Sequence, residues 1–198
     1  MAAGVVLALL AVIPPADRVA NTLFAAHMAQ HLVLVAVAAP LLAFGWPAGY
    51  AKPLRPAWAW LLFVAVFLFW HWPGALRWAA RTPPTAALEL LSIFAAAVVF
   101  WLAMIGPKAS DGAGLRALYV VTASLALDLP GVVMIFAPSA ICTMPEENAA
   151  AFGLSPLQDQ QLAGVLMWVP ANFVFFAIAT VLFARWLNAA EHGAPRSI

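Results

Sequence analysis

Residues 86–105 read AALELLSIFAAAVVFWLAMI, twenty residues in which Glu89 is the single charge. A membrane span needs about 20 apolar residues at a rise of about 1.5 Å each. The stretch meets that length and closes on Gly106-Pro107, a pair that stops a helix. Its apolar residues run on without alternation, so it reads as a transmembrane helix and not as a barrel strand. A carboxylate one turn inside such a span is costly, and a costly group in a membrane marks function.

Five further hydrophobic segments flank it, at 2–13, 23–44, 57–72, 115–137 and 162–187. The first is too short to cross alone and halts at Pro14-Pro15. No Lys or Arg precedes it, so a signal peptide is not expected. The expectation is an all-α polytopic transmembrane helix bundle of about six hydrophobic segments, the first short, in a single domain over 1–198. No internal repeat or second domain is visible. Composition agrees: 66% of the 198 residues are hydrophobic and 9% charged, where soluble domains carry about a quarter charged residues. A soluble enzyme, a nucleic-acid binder and a disordered chain are excluded on that ground. The nine Trp suit the bilayer interface. Cys142 is the single cysteine, which rules out an intrachain disulfide.

Net charge is +1, and the distribution of the charges says more than the total. Alternating spans place Lys52, Arg55, Lys108, Arg116, Arg185 and Arg196 on one side. Arg18, Arg77 and Arg81 fall on the other, whose longest loop, 138–161, has no Lys or Arg and carries Glu146, Glu147 and Asp159. Basic loops stay cytoplasmic. The C-terminus is therefore expected inside and the acidic loop outside.

The sharpest local feature is His27-Met28-Ala29-Gln30-His31. Two histidines four apart lie on one helix face, a turn apart, and offer two imidazoles to one metal. The glutamate that a zinc protease needs between them is Met28 here. The rival reading is a pair of interfacial histidines hydrogen-bonded to a neighbouring helix. His71 stands in Trp70-His71-Trp72-Pro73 at the end of the third segment, and competes with a plain aromatic-belt role. Glu89 and Asp128 are carboxylates within spans, which must pair, bind metal or carry protons. For Asp128 the rival role is to serve the helix kink at Pro130. Met134, Cys142 and Met144 carry the soft sulfurs that select copper(I), although each alone reads as a core residue. Asp159-Gln160-Gln161 are expected to cap the last helix or to pair with the preceding ones.

All of these residues fall toward one predicted face, the outer one, and that face was assigned from Lys and Arg alone. The convergence points to one polar site. Imidazole with sulfur favours copper, with His27, His31, His71, Met134, Cys142 and Met144 as candidate ligands. Glu89 and Asp128 are candidate supports that orient the imidazoles, and Asp159 and Gln160 are further candidates for the surrounding shell.

The motifs resemble the CtaG-type cytochrome c oxidase assembly factors. The resemblance rests on His27-Met28-Ala29-Gln30-His31-Leu32, Ala39-Pro40-Leu41-Leu42 and Gly45-Trp46-Pro47, then on His71-Trp72-Pro73-Gly74. It continues through Leu154-Ser155-Pro156-Leu157, Asp159-Gln160-Gln161-Leu162-Ala163-Gly164 and Met167-Trp168-Val169-Pro170. It covers about residues 16–187, and the motifs are specific in this order. Two features depart from the family: Ala86 and Leu90 stand where relatives commonly carry histidines beside the glutamate, and many relatives have about seven spans.

The resemblance implies a non-enzymatic assembly factor for a haem-copper oxidase in a bacterial inner membrane. Copper would be its transient cargo, and an oxidase subunit and the lipid bilayer its partners. A homo-oligomer is left open, and no nucleic-acid partner is expected. Three rivals stand beside it. A metal-free scaffold for oxidase subunits predicts histidines that only hydrogen-bond. A small haem or redox subunit needs opposed axial histidines, and the pair four apart cannot both meet one iron; covalent c-type haem lacks its C-x-x-C-H. A transporter favours repeats and midplane sites, and neither is seen.

Overall fold

The computed structural model describes residues 1–50, 53–109, 112–142 and 148–193. The expected ligand Met144 lies outside the described residues, as do Lys52, Glu146, Glu147 and Arg196. The chain is 82% helical and has no strand among the described residues, so the all-α expectation holds.

Two short helices open the chain, α1 (Ala2–Val12) and α2 (Pro14–Thr22), bent about each other by 50°. Pro14 begins α2, where its missing N–H costs nothing. Next, α3 (Phe24–Leu32), a π-helical segment (Val33–Ala38) and α4 (Ala39–Phe44) form one continuous 21-residue span. The wide turn has a sequence cause. A π-helix pairs each N–H with the carbonyl five residues back, and Pro40 has no N–H to give Val35. The Trp101 indole supplies the missing donor, 2.8 Å from the Val35 carbonyl.

The chain then forms α5 (Pro56–Trp70) and α6 (Pro73–Ala79), bent by 78° at His71 and Trp72. Pro73 sets this break, because it pushes Trp72 into an extended conformation. α7 (Pro83–Ile105) starts three residues ahead of the opening stretch, under a reciprocal Thr82–Thr85 cap. α8 (Ala113–Phe136) and α9 (Pro156–Gly193) follow, joined by a segment with one 3-10 turn at Ala149–Phe152. α9 begins ahead of the expected 162 because Ser155 and Gln158 close a capping box. Ser155 Oγ accepts from Gln158 N at 3.2 Å, and Gln158 Oε1 accepts from Ser155 N at 2.8 Å.

Among the described residues, four helices are long and apolar enough to cross a membrane, and the two bent pairs raise the number to six. α8 and α9 share the most extensive interface. Their backbones nearly touch at Gly131 and Gly164. A Cβ on Gly164 would stand 2.7 Å from the Gly131 carbonyl oxygen, so only glycine permits this approach. The core between α5 and α7 is aromatic, with Phe63 stacked on Phe100.

Candidate metal centre

The start of α3, the end of α5, the start of α7, the end of α8 and the start of α9 meet at one end of the bundle. The contact that fixes α3 there is Asp159. Its buried carboxylate accepts from Phe24 N at 2.7 Å and Ala25 N at 2.9 Å, taking up two of the helix's unsatisfied N–H groups. Gln30 ties the same helix to the last turn of α1 through the Ala11 carbonyl, at 2.8 Å. α3 thus enters the site held at its N-terminus and along one flank.

His27 and His31 sit on one face of α3, ring centroids 4.5 Å apart. Glu89 reaches them from α7: its Oε1 lies 3.2 Å from His27 Nε2 and 3.6 Å from His31 Nε2. One donor atom from each of the three lies within 4.8 Å of the others. His71 joins from the bend after α5, its ring edge-on to His31 at 5.5 Å between centroids. Its Nδ1–H donates to the Phe67 carbonyl at 2.7 Å, and Phe67 stacks on the ring at 3.9 Å. That bond fixes the tautomer and leaves the Nε2 lone pair as the available ligand atom. All four side chains are buried, Glu89 and His31 at 2% exposure.

Buried polar atoms normally find partners. His71 Nε2 and both ring nitrogens of His31 have no hydrogen-bond partner in the protein. Two imidazoles at one carboxylate and a third beside them, with three orphaned ring nitrogens on His31 and His71, are a donor set that suits a transition-metal ion.

Cys142 and Met134 lie beyond His71. A cleft of about 440 Å³ is lined by His71, Met134 and Cys142 together with Trp72, Arg77 and Val133. Gln160, fully buried, holds both sulfur residues from α9. Its Oε1 accepts from Ile141 N at 2.6 Å and Cys142 N at 3.0 Å, and its Nε2 donates to the Met134 carbonyl at 3.0 Å. Burial pushes the Cys142 thiol up to about 11, with the Arg77 guanidinium pulling the other way.

Asp159 and Gln160 pair with the preceding helices α3 and α8, one of the two roles expected for them. Glu89 touches the imidazoles directly. Asp159 and Gln160 hold backbone and do not orient a histidine ring. Asp128 accepts from Asn172 Nδ2 at 2.9 Å, and Asn172 is also bonded by the Ser124 hydroxyl. This carboxylate serves the α8–α9 contact and is not bonded to an imidazole. Sequence reasoning passed over Asn172, although an amide two residues after Pro170 inside a span was a visible signal. It also passed over Phe67 and its carbonyl, for which the sequence carries no signal. Ala86 and Leu90 line a separate cleft of about 630 Å³ with Asp17 and Arg81, between α2 and α7.

Fold and site together define a polytopic helical membrane protein with a buried histidine–glutamate cluster at one end of its bundle. The chain belongs to the cytochrome c oxidase caa3 assembly factor family (Caa3_CtaG), whose model matches residues 2–189. No curated protein and no solved structure matches it.

Proposed function

We propose that this assembly factor holds copper transiently at the histidine–glutamate cluster and passes it to a subunit of its oxidase. The carrying observation is the convergence of His27 and His31 on Glu89, with His71 edge-on to His31 and three buried ring nitrogens, on His31 and His71, that lack protein partners. His27, His31 and His71 supply imidazole nitrogens, and Glu89 supplies the negative charge that offsets a bound cation. Binding and release need no catalysis, so no enzymatic step is assigned. Incomplete coordination by the protein leaves room for a partner's ligands to compete.

The site end carries Arg18, Arg77 and Arg81, and the opposite end carries Arg55, Lys108, Arg116 and Arg185 among the described residues. By the positive-inside rule the cluster opens to the periplasm of a bacterial inner membrane, and the C-terminus is cytoplasmic.

The test is the metal content of the purified protein after copper loading, read by elemental analysis. Wild type should hold copper at stoichiometry or above, and His27→Ala/His31→Ala should hold clearly less, having lost the copper of the histidine–glutamate cluster. Substoichiometric copper that the double variant leaves unchanged would overturn the reading in favour of a metal-free scaffold.

A further inference from the structure

We propose that the cleft beyond His71 is a second, soft metal site. In it Cys142 and Met134 receive copper(I) and pass it to the inner cluster through His71. The inference rests on the copper reading above and adds the route and the ligands that serve it.

Four observations carry it. His71 belongs to both places: its ring meets His31 edge-on, and it lines the cleft. Its Nε2 is buried and has no partner in the protein. Met134 and Cys142, a thioether and a thiol, line the same cleft, and a set of two sulfurs and one imidazole selects copper(I) over harder ions. Gln160 binds the backbone at both sulfur residues with one amide, so the pair is set before any metal arrives.

Much of the remaining lining is apolar, with Leu129, Val133 and Ile141, which limits water around a soft ion. Among the described residues, Arg77 is the cation on the cleft wall. It is suited to an anionic chelator or a partner carboxylate that brings the metal to the mouth.

Loading is a ligand exchange. Copper(I) leaves the carrier's ligands and bonds Cys142 Sγ, and the thiol proton goes to solvent. No electron moves.

The experiment is X-ray absorption at the copper edge on the full chain in lipid nanodiscs, loaded anaerobically from a copper(I)–bicinchoninate complex. Wild type should show sulfur beside nitrogen in the copper shell. Cys142→Ser/Met134→Leu should show nitrogen and oxygen only, and should load at least tenfold more slowly. His27→Ala/His31→Ala should keep a sulfur-bound copper, because the cleft does not need the inner pair. A wild-type spectrum without sulfur, or equal loading rates in wild type and the sulfur variant, would overturn the cleft. Loss of the inner nitrogen site alone bears on the cluster reading, so the two failures are distinguishable.

Discussion

Glu89 is the residue on which the cluster's electrostatics turn. It is a buried carboxylate within reach of two imidazoles, and no Lys or Arg pairs with it among the described residues. A cation bound between the histidines would supply the missing counter-charge. Glu89→Gln keeps the shape and removes the charge. It should weaken copper(I) binding by roughly 10–100-fold, the usual cost of losing a carboxylate that supports metal-ligating histidine. Competition against bicinchoninate reads this directly, and unchanged affinity would take Glu89 out of the site. The histidine pair and Glu89 were legible in the sequence, because polar residues stand out in an apolar span. The roles of Asp159 and Gln160 were not. Asp159 acts on backbone 134 residues away in the chain, and no local pattern records a partner at that distance.

At the scale of elements, the π-helical segment and the α8–α9 crossing set the geometry. The π turn begins right after His31, and Trp101 satisfies the carbonyl it frees. A register change at that place fixes which way α4 faces while leaving the histidines on the regular turns before it. The α8–α9 crossing sits beside Met134 and Gln160, so it sets how α9 reaches the sulfur residues. Gly164→Ala would press a methyl group against the Gly131 carbonyl and the Ile135 side chain. Overpacking of this kind costs about 1–3 kcal/mol. Denaturation in bicelles should show that loss, whereas Gly49→Ala, which meets nothing within 4 Å, should be neutral. Equal stability of the two variants would contradict the close crossing. The six segments were legible from hydropathy. The bend between α1 and α2 was marked by Pro14-Pro15, but its 50° angle belongs to packing against α3 and α4.

For the whole molecule, the polar cluster at one end and the basic residues at the other predict sidedness. In a Cys142→Ser background, Arg81→Cys should react with a membrane-impermeant maleimide added to intact spheroplasts. Lys108→Cys should react only after the membrane is opened. The reverse pattern would place the cluster on the cytoplasmic side. Both positions are exposed in the structure, so labelling reports orientation and not burial. A cleft of about 710 Å³ between α8 and α9 at the far end is lined by groups such as Leu118, Phe176 and Trp186 and, among the described residues, by no His, Cys, Met or carboxylate. Size alone did not find the site. Convergent donors with unmet hydrogen bonds did.

The sequence by itself determined that the chain lives in a membrane, that it is helical, and that its scarce polar residues gather toward one end. Those properties follow from hydropathy, helical period and loop charge, all of which are local or additive along the chain. Only the tertiary structure decided which polar residues touch. It joined Glu89 to His27 across 62 residues, gave Asp128 to Asn172, and set Cys142 and Met134 on a cleft shared with His71. The physical reason is the same each time. Helical spacing dictates neighbours one turn away, while a buried donor set is assembled by helix packing, which pairs residues far apart in the chain.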